Sequence, residues 1–225
     1  MANDEVSSES RIVEYLVQQI YLEMSRAIVD CSFIKVSNSD TKLTDASKDA
    51  NIRFSAVAVS VVFAYGAIEA FCNTSIYQKY NEYELLSQVD KTKYWEREHC
   101  KPKFKPFFED DEKFNEILNK ASVQLKLSML ASLYNVSQLQ QKKPELWGQL
   151  CEFVKTARDF IIHPKPDPVV FQEKMSKIME KYTFGHSSSI AEAVMKYYYD
   201  EAGGEPPSWL KHNEIFIIFK KDNLK

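Results

Sequence analysis

Apolar residues return every three or four positions along most of this chain, the period of an α-helix with one buried face. The strongest stretch is 51–80. There Phe54, Val57, Val61, Ala64, Ile68 and Phe71 form one continuous apolar face. Val59, Val62, Phe63 and Ala70 make the other side apolar too, so neighbours are expected all round this helix. A second pattern covers Glu5 to about Phe33, with Ile12, Leu16, Gln19, Ile20, Glu23 and Met24. Residues 37–50 read as a polar loop running into a helix start. Residues 84–108 are mixed, and Pro102 and Pro106 forbid a long helix there. Helix returns at 111–134 through Phe114, Ile117, Leu118, Val123, Leu125, Leu127, Leu130 and Leu133, with a break near Ala121.

Residues 135–143 are polar, and Pro144 fits the first turn of the next helix, where its missing N–H costs nothing. That helix carries Leu146, Leu150, Phe153, Val154, Ala157 and Ile161. It should end at His163, because Pro164 disfavours helical geometry in the residue before it. Asp167 starts a further helix with Val170, Phe171, Met175, Ile178 and Met179. Three serines open the last helix, 187–201, with Ile190, Val194, Tyr197 and Tyr198. Ile215–Phe219 is a short β-prone segment in the tail. The expected fold is an all-α helical bundle, divided as 1–50 (N-terminal helix and polar loop), 51–183 (helical core) and 184–225 (C-terminal helix and tail).

Composition narrows the partners. A net charge of −3 excludes a generally basic coat, so any nucleic-acid site must be a local patch. Only 5 glycines and 8 prolines argue against a sandwich or barrel. Cys31, Cys72, Cys100 and Cys151 are widely spaced, which suits reduced thiols in a cytoplasmic protein. The acidic, polar start does not resemble a signal peptide. Phe54–Cys72 approaches membrane-spanning length, but Glu69, its serines and its alanines favour a buried central helix, and no membrane partner is expected. Neither a glycine-rich phosphate loop nor a zinc-ligand spacing is present, and no cofactor or metal is expected.

Two groups of residues carry chemistry. The first is Arg158-Asp159-Phe-Ile-Ile-His163-Pro164-Lys165, at the end of an apolar helix. Arginine stays cationic and can clamp phosphate, while histidine at a helix C-terminus can exchange protons near neutral pH. Five positions amount to about 500° of helical rotation, which aims the two side chains roughly 140° apart. They converge on one substrate only if the helix end distorts or a second copy supplies the partner. The second group, between Lys91 and Phe108, interleaves Lys93, Arg97, Lys101 and Lys103 with Tyr94, Trp95, Phe104, Phe107 and Phe108. Cations with rings suit single-stranded RNA. The plainer alternative is a solvated connection whose rings pack on the core, and Glu109-Asp110-Asp111-Glu112 partly cancels the local field. Tyr197-Tyr198-Tyr199 suits packing better than base stacking.

Arg158-Asp159-x-x-x-His163, late in a helical bundle, resembles the R-x(4–6)-H signature of HEPN domains (higher eukaryotes and prokaryotes nucleotide-binding). Ala64-Tyr-Gly-Ala-Ile-Glu69-Ala-Phe71 is similar to the family's first core helix, whose acid can face the motif. The resemblance covers roughly 50–183. It implies a core of four helices with extra helices at either end, and a homodimer in which both motifs line one cleft. Many such domains are metal-independent endoribonucleases of toxin–antitoxin, phage-defence or RNA-processing systems. Others are silent binding or dimerisation modules. By that resemblance Arg158 would neutralise the scissile phosphate, His163 would move protons, Asp159 would orient one of them, and Glu69 would assist. RNA would be the substrate, with an antitoxin or defence protein as a further partner. Antitoxin-paired members often carry tyrosine two residues after the histidine; here that position is Lys165, which can add a phosphate contact instead.

Overall fold

The computed structural model describes residues 19, 21, 22, 24, 25, 43–156, 177, 178, 181, 182, 186–207 and 210, with the backbone alone described over 43–54. Among these residues the protein is all-helical, with no strand. Its α-helices are α1 (Leu43–Glu84), α2 (Gln88–Tyr94), α3 (Lys105–Phe108), α4 (Asp111–Lys120), α5 (Val123–Tyr134), α6 (Leu139–Lys142), α7 (Pro144–Thr156) and α8 (His186–Glu201). One 3-10 turn, Pro102–Phe104, precedes α3. The β-prone Ile215–Phe219 and the helix expected from Asp167 lie outside the described residues, except that Lys177, Ile178, Lys181 and Tyr182 are helical.

The chain forms two compact units. One contains Ile68–Cys151 and Val194–Pro206; the described parts of the other fall within Val17–Ala67, Glu152–Ala193 and Pro207–Lys225. In the second unit, helical residues near position 22 pack on the first half of α1. The expected apolar face is turned here: Met24 is 41% exposed while Leu22 and Ser25 are fully buried. The reason is polar. Ser25 Oγ donates to the Ser60 carbonyl at 2.8 Å, Ser60 Oγ donates to the Ser25 carbonyl at 2.8 Å, and Ser187 Oγ lies 2.8 Å from Ser60 Oγ. Small hydroxyls that satisfy one another let the backbones come close without stranding a buried donor. Gly66 serves the same approach: a Cβ there would sit 3.0 Å from the Tyr21 ring.

α1 starts earlier than its apolar pattern, taking in 43–50, which read as loop. Val57, Val61, Ala64, Ile68 and Phe71 are buried as expected. The opposite side is not: Val59 is 39% and Val62 37% exposed, so burial is one-sided along this part of the helix. Its Ser55–Glu84 stretch is long and apolar enough to cross a membrane by length and composition.

In the first unit, Tyr80 and Tyr83 on α1 meet Trp95, Phe108 and Phe114 in a cluster of edge and stacked rings. Both prolines of the connection sit at helix starts, where they cost no hydrogen bond. The break at Ala121 is real: its ψ of 144° is extended, and Ser122 caps α5 by accepting from Leu125 N–H. Asp110 caps α4 through Glu112 and Lys113 N–H. Tyr197 Oη donates to the Ser137 carbonyl and Tyr198 Oη to the Leu127 carbonyl, each at 2.8 Å, so these tyrosines are packing groups.

Tyr80 donates its hydroxyl to the Asp111 carboxylate, and that bond raises its pKa from 10.0 to about 12. Burial, then Glu201, raises Tyr197 to about 12 as well. Both phenols therefore favour the folded state while protonated. That contribution is complete below the unfolded value near 10 and is lost as pH rises through about 12. Thermal midpoints are expected to fall between pH 10 and 12, and less steeply in Tyr80→Phe. Parallel falls in wild type and variant would show that Tyr80 is not a contributor.

Candidate functional site

Arg158, Asp159, His163 and Lys165 lie outside the described residues, as does the helix end expected at His163. The helix leading to them is described: α7 begins at Pro144 and buries Leu150, Phe153 and Val154 down to its last described residue, Thr156.

Glu69 sits on α1 with its side chain 36% exposed, and its Oε1 accepts from Lys126 Nζ at 3.1 Å. Lys126 itself is fully buried on α5. The sequence pattern placed Leu125 in the core, yet Leu125 is 37% exposed and Lys126 is inside. The helical period accounts for this: Gln124, Leu125 and Ser128 share the outward side of α5, while Val123, Leu127 and Leu130 fix the inward side. An ammonium in that position requires a carboxylate partner, because an unpaired buried charge is strongly unfavourable. Cys72 is close enough to feel both charges. Burial pushes its thiol far above the ordinary range, and Lys126 only partly opposes this, so Cys72 remains a thiol.

Arg97 is occupied in holding its own neighbourhood. Its Nε donates to the Tyr94 carbonyl at 2.8 Å, and Nη2 lies 3.2 Å from both the Leu133 carbonyl and Cys100 Sγ. The guanidinium stacks 3.6 Å from the Tyr94 ring centroid. The partners explain the arrangement. Leu133 and Ser132 are among the last residues of α5, whose carbonyls lack the N–H of a following turn; that of Ser132 also accepts from the Asn135 N–H at 3.2 Å. Arg97 and Tyr94 Oη donate to the first, and Cys100 Sγ donates to the second. A cation at a helix C-terminus is also favoured by the dipole. Asn135 turns the chain with φ of 56°, a left-handed value asparagine tolerates, and its Oδ1 accepts from His99 N–H at 2.9 Å. Sequence reading missed this capping assembly, whose signal was asparagine directly after the apolar run of α5.

The other cations divide. Lys93 is exposed on α2. Lys103 is exposed with Nζ 5.0 Å over the Phe104 ring. Lys101 is half-buried and donates to Ser128 Oγ at 3.2 Å. Three of the five rings of the segment are core: Trp95, Phe104 and Phe108 are 6%, 1% and 1% exposed, as the packing alternative expected, while Tyr94 and Phe107 are partly exposed. Of the four expected RNA contacts among the described residues, then, two lysines face solvent, one lines a recess and the arginine is a cap. The described residues hold no group of three or more His, Cys, Asp or Glu side chains suited to a metal ion. Cys72, Cys100 and Cys151 are free thiols. Comparison with protein-family models, curated proteins and solved structures finds no match to this chain.

Proposed function

We propose that the protein is a cytoplasmic, metal-independent endoribonuclease of the HEPN type, acting as a toxin or defence effector, with Arg158, Asp159 and His163 of two copies around one cleft. The supporting observation is the course of α7, an amphipathic helix anchored by Leu150, Phe153 and Val154 that runs to within two residues of Arg158. In this reading one histidine takes the proton of an RNA 2′-hydroxyl. The 2′-oxygen bonds to phosphorus, the P–O5′ bond breaks, and the leaving oxygen takes a proton from the histidine of the other copy. Arg158 balances the charge that grows on the phosphate. Lys165, Lys93 and Lys103 supply phosphate contacts.

The experiment is incubation of purified protein with total RNA in EDTA. Fragments with 2′,3′-cyclic phosphate ends are the expected product. RNA of every class left intact would exclude the catalytic reading.

A second reading has an observation in its favour. Arg97 and Tyr94 serve as caps, and Trp95, Phe104 and Phe108 are core, which leaves that segment less to offer RNA. That suits a catalytically silent helical module that binds a partner through another face. Expression toxicity separates the two: wild type and His163→Ala should differ for the nuclease and match for the module.

A further inference from the structure

The outward side of α5 borders a recess of about 250 Å³ in the first unit. Lys101 reaches it from the start of the 3-10 turn, Gln138 and Gln140 from the α5–α6 connection and α6, and Trp147 from α7. Leu125 and Leu139 supply apolar wall, which gives the exposed leucine of α5 a place.

The polar groups are unevenly matched. Lys79, Lys91, Lys105, Lys113 and Lys142 each have a carboxylate within ion-pair distance. Among the described residues Lys101, like the exposed Lys93, Lys103 and Lys143, has none, but it is half-buried in the recess, where its ammonium bonds the Ser128 hydroxyl. Burial and the neighbouring Lys103 both hold its pKa below the usual lysine value, and no described acid opposes them. Having accepted from Lys101, the Ser128 hydroxyl still has its own proton to donate. Gln138 is fixed by its Nε2 donating to the Ser128 carbonyl at 3.3 Å. One end of the recess therefore presents two donors and a positive charge that no described carboxylate balances, and an indole, two leucines, Tyr198 and three glutamines line the remainder. The volume admits one ring system rather than a larger ligand.

The geometry points to a binding site here for a small organic oxyanion on a flat ring, its charged group on Lys101 and Ser128 and its ring against Trp147. An oxyanion supplies the missing counter-charge through charge-assisted hydrogen bonds, and the indole offers a stacking face. This site uses none of Arg158, Asp159 or His163, and it stands whether or not the protein cleaves RNA.

The test is a titration of the full-length protein with benzoate, followed by the indole N–H resonance of Trp147 assigned with Trp147→Phe. Benzoate is expected to shift that resonance saturably, with a dissociation constant on the order of a millimolar, as for other ring-sized ligands. Phenyl phosphate in a parallel titration tells which headgroup is preferred, and benzamide, the uncharged analogue, is expected to bind at least tenfold more weakly. Lys101→Met should lose benzoate binding. Gln140→Glu, an exposed change that offers Lys101 an internal carboxylate, should weaken it several-fold in a normally folded protein. Equal binding of benzoate and benzamide would overturn the proposal, as would no saturable shift with benzoate, phenyl phosphate or inorganic phosphate. A short RNA that moves the resonance when benzoate does not would assign the recess to nucleic acid instead.

Discussion

Glu69→Ala is expected to lower stability by about 3 kcal/mol, because it leaves the Lys126 ammonium buried without its carboxylate. The figure sits at the low end for a broken buried pair because the Glu69 side chain is 36% exposed and water can reach that end. Lys126→Met should behave differently. It removes the charge, keeps most of the volume, and leaves Glu69 free to turn toward solvent, so a change within about 1 kcal/mol is expected. The double variant Glu69→Ala/Lys126→Met should recover most of what Glu69→Ala loses. Urea unfolding of the four proteins measures the coupling directly. A Glu69→Ala variant as stable as wild type would mean the pair is not a structural latch.

The same cycle decides the role of Glu69 in any RNA cleavage. If the carboxylate only balances Lys126, the double variant should cleave at the wild-type rate per folded molecule. If it also assists the chemistry, stability returns and the rate does not.

His163→Ala is the second large effect: RNA cleavage should fall by about 10²–10⁴-fold, the usual contribution of one acid–base group. Its thermal midpoint should stay near wild type. Arg158→Ala should cut the rate by a similar factor through lost charge stabilisation. Mixing the two variants tests the symmetry that the five-residue spacing calls for. If each Arg–His pair in the cleft joins the arginine of one copy to the histidine of the other, mixed dimers keep one intact pair. About a quarter of wild-type activity should then return, since half the dimers are mixed and each has one of the two pairs. A mixture as inactive as its components would place arginine and histidine of a single copy in the same pair.

Much of the helical layout was legible from periodicity. The start of α7 at Pro144, the break at Ala121 and the buried set of α8 follow from proline chemistry and apolar spacing. These are local effects, settled within one turn of helix. The start of α1 was less legible, because polar residues 43–50 carry no apolar period and still extend a helix that packing stabilises further along. The candidate site divided in the same way. Arg158, Asp159 and His163 were readable as a spacing. Arg97 was readable only as a cation among aromatics, and its use as a cap depends on carbonyls 36 residues away.

Sequence alone is enough to say that this protein is helical, where α4, α5, α7 and α8 begin, and that an Arg–His pair follows an apolar helix. Which charges are spent inside the molecule depends on tertiary contacts. Lys126 is buried because α1 brings Glu69 to it, Arg97 is a cap because α5 ends beside it, and Lys101 has no carboxylate partner among the described residues. The physical reason is one of range. Helical period acts over three or four residues, whereas the fate of a charge depends on which distant groups the fold places within a few ångströms of it.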